Sequence, residues 1–262
     1  MDKERLKKIV DNPRMIPGIH NYCDRWCERC PQTSRCSVYA IEQADESGSC
    51  SRDPQNKAFW NRLHGIFSTT MEMVQEFAEK NGIDLNRPAT EEEKAEGVRF
   101  DTKTREYPIV RAAMSYLKSA RAWCNSANDL LKQKVSEAET HLRLGLCDTA
   151  PETELKELRE AVEVVCWYYA QIGVKLRRAV RQMLQPPELD EDIPSDSDGS
   201  AKVALIGMDR SLAAWALMLK SFPEQEKDIL DFLVRLERLR RETERTFPKA
   251  RAFLRPGFDG TE

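Results

Sequence analysis

Four cysteines carry the clearest chemistry in this chain. They fall at Cys23, Cys27, Cys30 and Cys36, a Cys-x3-Cys-x2-Cys-x5-Cys spacing. A thiolate binds soft and borderline metals strongly, and four of them satisfy a tetrahedral zinc ion or a cubane [4Fe-4S] cluster. Positions i, i+4 and i+7 share one helical face, so a helix over residues 21–30 would gather Cys23, Cys27 and Cys30. Pro31 disfavours helical geometry at Cys30 and promotes a turn, which lets Cys36 return as the fourth ligand. The spacing does not separate zinc from iron–sulfur. The alternatives for the same residues are disulfides or redox-active thiols. His20, three residues before Cys23, is either a substitute ligand or a supporting group. Cys50 sits in a Ser/Gly loop, as an extra ligand or an exposed thiol. Arg25, Arg29 and Arg35 lie among the cysteines, where they offset the negative charge of a thiolate site.

The compactness of the motif narrows its parallels. Zinc ribbons pair two Cys-x2-Cys knuckles across a longer gap, whereas this chain has one knuckle. Its crowding and its Cys30-Pro31 pair resemble a ferredoxin-type cluster loop, which implies an iron–sulfur centre. The Cys23–Cys30 core also resembles the signature of radical S-adenosylmethionine enzymes. That resemblance covers eight residues. It implies a βα barrel and an open iron, and the rest of the chain reads as helical and offers Cys36 to close the site. Residues 16–36 as a whole resemble the opening of bacterial helical proteins, a likeness that implies no activity and carries over no functional residue.

Other constellations fall short. A di-iron bundle needs Glu-x-x-His pairs. The nearest here are Glu137-x3-His141 and Glu139-x-His141, and the chain has three His in all. Arg14 and His20 have the separation of a helical ribonuclease pair, but Pro17-Gly18 between them opposes a helix. There is no Gly-rich phosphate loop, no Walker sequence and no Gly-x-Ser-x-Gly elbow. The Arg-rich run 235–245 is interleaved with Glu, the pattern of a solvated helix face with i,i+4 pairs. Nucleic-acid binding is its sharper reading.

The elements that must position these residues read as helices. Phe59, Trp60, Leu63, Phe67, Met71, Val74 and Phe77 recur every three or four residues and predict a helix from Pro54 to Lys80, ended by Asn81-Gly82. Residues 83–106 are polar and read as a long connection with one short helix. Pro108 opens a second long helix to about Leu144, with Ile109, Ala113, Leu117, Ala120, Cys124 and Ala127 inward. A third runs from Glu152 to Leu184. Residues 186–200 carry six acids between Glu188 and Ser200 and no base, which predicts a flexible loop. A fourth helix spans 201–221 and a fifth 224–246, with a tail packed back through Phe247, Phe253 and Leu254. Cys124, Cys147 and Cys166 read as inert core residues. Asp209 and Arg210 interrupt an apolar helix and need partners, for which Glu160, Glu163 or His141 are the candidates.

The expected fold is therefore all-α: an up-and-down bundle of four to five long helices (53–262) with a Cys-rich cap (1–52). The chain has 262 residues, with 41 Lys plus Arg against 44 Asp plus Glu, a net charge of −3 that opposes a dedicated nucleic-acid binder. The longest apolar stretch, Val203–Leu219, is broken by Asp209 and Arg210, so no membrane span is expected. The N-terminus shows no export signal, so the expectation is a cytoplasmic protein whose cysteines are reduced. The functional expectation is a four-cysteine metal site in a structural or partner-binding role, with a protein partner. An iron–sulfur redox protein or enzyme with a pocket between helices is the alternative, and a nucleic-acid-associated protein using helix 235–245 the second.

Overall fold

The computed structural model of the chain describes residues 3–43, 55–145, 152–185 and 195–260. Among these residues the regular structure is entirely helical, with eight α-helices and several short 3-10 turns. The chain divides into two compact units: Met1–Gly97 with Arg255–Glu262 (unit one), and Val98–Leu254 (unit two). No helix of the described residues is long and apolar enough to cross a membrane.

Unit two holds four long helices, α5 (Pro108–Arg143), α6 (Glu152–Leu184), α7 (Asp196–Ser221) and α8 (Glu226–Thr246). Proline stands in the first turn of α5, where its missing N–H costs nothing. Helix α5 packs on α6, α6 on α7, α7 on α8, and α8 back on α5. The inward face of α5 is turned slightly from the expected stripe, so that Tyr116 and Trp123 are buried on it. Trp215 of α7 stacks on Phe232 of α8 with centroids 4.4 Å apart and meets Trp123 edge-on at 4.7 Å. Its indole N–H donates to the Tyr116 hydroxyl at 3.1 Å, which satisfies two polar groups deep in the core. Helix α7 approaches α6 through Gly207, where an added Cβ would stand 3.0 Å from Tyr168 and 3.2 Å from Ile172.

Several expectations are corrected in unit two. The acidic segment is not a loop to its end, because α7 starts at Asp196. Ser195 caps it, its hydroxyl accepting from the Asp198 N–H. Asp196 is also held by both arms of Arg178 on α6, at 2.6 and 2.9 Å. Residues 186–194 lie outside the described residues. Cys124 and Cys166 are not inert core thiols. They form a disulfide between α5 and α6, whose close packing brings their Cα atoms to 5.8 Å. Cys147 and Cys50 lie outside the described residues. Asp209 takes two bonds from Arg251, at 2.5 and 3.1 Å, with Arg240 at 3.7 Å. Arg210 donates to the Tyr168 hydroxyl. In the tail Phe247 is buried, but Leu254 is exposed.

Unit one is built differently. It contains α1 (Lys3–Val10), α2 (Ser37–Gln43) and α3 (Lys57–Lys80), and α4 (Glu91–Glu106) crosses into unit two. Helix α4 replaces most of the expected polar connection. It starts with a reciprocal cap: the Glu93 N–H donates to the Thr90 hydroxyl at 3.2 Å and the Thr90 N–H to the Glu93 carboxylate at 2.8 Å. Helix α3 ends as expected, with Gly82 at φ 67°. Its apolar stripe, however, is not a core face, since Trp60, Phe67, Met71, Val74 and Phe77 are all exposed. Among the described residues of unit one, the buried hydrophobic side chains are Ile19 and Ala78.

Candidate metal centre

The cysteine segment is a chain of tight turns, not the helix expected over residues 21–30. Its 3-10 turns are Ile19–Asn21, Cys27–Arg29 and Thr33–Arg35. The reason is local. Asp24 accepts from the Trp26 N–H at 3.2 Å, an Asx turn that competes with helix and carries Arg25 at φ 56°. Cys30 is extended at φ −86°, ψ 123°, as the following proline requires. Cys36 is extended too and leads into α2.

The turns are held together by backbone and by the far end of the chain. The Ile16 N–H donates to the Arg35 carbonyl at 3.0 Å, closing the segment on itself. Ile19 is buried beneath it at 1% exposure. Gly257 lies over both residues at φ 74°, and a Cβ there would fall 2.6 Å from Ile16 and 3.0 Å from Ile19. The Gln32 side-chain amide donates to the Gly257 carbonyl at 2.8 Å. Arg255 and Asp259 lock the same returning turn, with paired bonds of 2.8 and 2.9 Å. Nothing in the reading of residues 16–36 alone signalled this contribution. The Arg-Pro-Gly-Phe-Asp-Gly run at 255–260 is the only sequence sign of a turn there.

All four expected ligands line one narrow cleft with about 20 Å³ of free space, together with Ile19, His20, Trp26, Val38 and Phe258. Cys23, Cys27, Cys30 and Cys36 are all present as half-buried thiols. The Cys23 thiol donates to the His20 carbonyl at 3.5 Å. Cys30 sulfur accepts from the Gln32 backbone N–H at 3.4 Å. Such an N–H···S contact favours the thiolate once it forms. The cysteines share a cleft but not a coordination sphere: among the described residues, no group of three or more His, Cys, Asp or Glu is positioned to hold a metal ion.

Electrostatics favour the protonated form of one of these thiols, Cys27. Burial pushes the Cys27 thiol above its usual range, the nearby Glu42 carboxylate and the neighbouring Cys23 and Cys30 push it the same way, and Arg25 opposes them. Arg25 itself reaches Glu42 at 3.6 Å. Arg29 lies over the Trp26 ring at 4.1 Å. A metal bound through Cys27 would therefore displace its proton.

The Arg-rich helix α8 is internally compensated. Arg235 pairs with Asp231, Arg240 and Arg241 with Glu237, and Arg245 with Glu242. Hydrogen bonds from Arg240 and Arg241 push the Glu237 carboxyl down to about 2.

The chain matches no protein-family model, no curated protein and no solved structure.

Proposed function

We propose that Cys23, Cys27, Cys30 and Cys36 are the ligands of a four-thiolate metal centre that holds unit one folded and lets it present a surface to a partner protein. The observation that carries this reading is the contrast inside unit one. Two hydrophobic side chains are buried among its described residues, while four thiols line one cleft. A unit with so little apolar burial needs another source of folding free energy, and a structural metal supplies on the order of 10 kcal/mol. No catalytic residue is assigned. The four thiols must be reduced to take a metal, as they stand in the structure.

An iron–sulfur centre is the second reading, and the cleft favours it. The walls are largely apolar, and Cys30 already accepts an N–H···S bond of the kind that supports a cluster's sulfurs. The nucleic-acid reading draws less support, because four of the five arginines of α8 are paired with acids on the same helix.

The test is to purify the full chain without oxygen, measure bound zinc and iron, record the visible spectrum, and follow limited proteolysis before and after chelation. The expected result is one centre per chain whose removal opens residues 11–43 to cleavage and leaves helices α5–α8 protected. Colour near 400 nm with about four irons selects the cluster, and one zinc without colour selects the ion. A chain with neither metal, and with the same protection after chelation, overturns the reading.

A further inference from the structure

Helix α3 presents a second feature that the thiol site does not use. Trp60, Phe67, Met71, Val74 and Phe77 are 43–64% exposed along five turns of one helix. Soluble chains do not usually leave so long an apolar stripe in water. Together these side chains expose about 600 Å² per copy, so two such faces could bury at most about 1,200 Å². That reaches the lower bound for a stable interface.

The order of residues says what kind of partner fits. The apolar positions are nearly symmetric about the midpoint between Ser68 and Thr69. Running α3 antiparallel to a second α3 about that point sets Trp60 opposite Phe77, Leu63 opposite Val74, and Ile66 opposite Met71. Phe59 falls opposite Ala78, and Phe67 opposite Thr70. A face whose large residues map onto each other by a half-turn is self-complementary, the requirement of an isologous dimer.

We infer that α3 is the two-fold interface of a homodimer, in which each copy covers the stripe Trp60–Phe77 of the other. The inference does not depend on the thiols binding metal. Its test is sedimentation equilibrium of the full chain in reductant, across a range of concentrations, with and without chelator. The expected result is a mass twice that of the chain at micromolar concentration, falling to that of one chain on dilution. Phe67→Glu with Met71→Glu should weaken the dimer at least about 100-fold, because two carboxylates would be buried in the apolar seam. Both positions are exposed in the single chain, so helical circular dichroism should be kept. Glu72→Gln, on the opposite side of the helix, should leave the dimer intact. A chain monomeric at every concentration overturns the inference, whether its Trp60 is solvated or covered by another part of the same chain. So does a dimer that survives the double substitution.

Discussion

Unit two and unit one solve the same problem by different means. Unit two buries large side chains from four helices around Trp215, with Tyr116, Trp123 and Phe232 in direct contact. Unit one buries Ile19 and Ala78 among its described residues, and relies on turns, hydrogen bonds and a returning C-terminal segment. The difference teaches where each unit keeps its free energy. In unit two it is spread over many apolar contacts, so that single polar bonds matter little. In unit one it is concentrated in a few backbone positions and in whatever the four thiols hold.

The largest test of that contrast lies in unit two. Trp215→Ala removes a fully buried indole, its stacking on Phe232 and its bond to Tyr116, and should destabilise unit two by about 3–5 kcal/mol. Urea denaturation followed by far-ultraviolet circular dichroism measures it. A loss under about 1 kcal/mol would mean that the core is not built around this residue.

A smaller effect should come from unit one. Gly257→Ala forces a Cβ against Ile16 and places alanine at a left-handed φ, for a cost of about 1–2 kcal/mol. Hydrogen exchange should then accelerate roughly 5–30-fold at the amides of residues 16–36, while those of α5–α8 keep their rates. Equal acceleration in both units would erase the distinction between them.

The smallest effect is a pH dependence. Burial raises the Cys27 thiol, so the metal-free folded state holds its proton more tightly than the unfolded chain does. The folded state of unit one is then fully favoured below the ordinary thiol range and loses stability as pH rises through it, where the unfolded chain sheds that proton first. The residual hydrogen-exchange protection that residues 11–43 keep in chelator should fall further on the alkaline side, after correction for the intrinsic exchange rate, and Cys27→Ser should flatten the curve. Protection that rises with pH would reverse the sign of the argument.

The long helices of unit two were legible because helical periodicity and proline placement are local signals. Pro108 opens α5 as read, and α6 runs over its expected span. The helices of unit one were harder. The Thr90-x-x-Glu93 capping box was present in the sequence and marks α4 better than composition does. The start of α7 depends on Arg178, eighteen residues earlier, which no local pattern announces. The stripe of α3 was read correctly as amphipathic, but periodicity says only that a face is apolar and not what lies against it. At the cysteines, spacing found four residues that share a cleft. It misjudged the backbone, because the Asp24 side chain and Pro31 favour turns over a helix. The disulfide between Cys124 and Cys166 is a matter of helix register, fixed by packing between α5 and α6.

The seat of Gly257 over Ile16 and Ile19 has a consequence for the order in which the protein is made. The cysteine loop leaves the ribosome more than 200 residues before Gly257, one of its supports. Helices α5–α8 emerge in between and can fold from their own residues. The cysteine loop must therefore wait for that later segment before it closes, and in that interval its thiols stand open for loading.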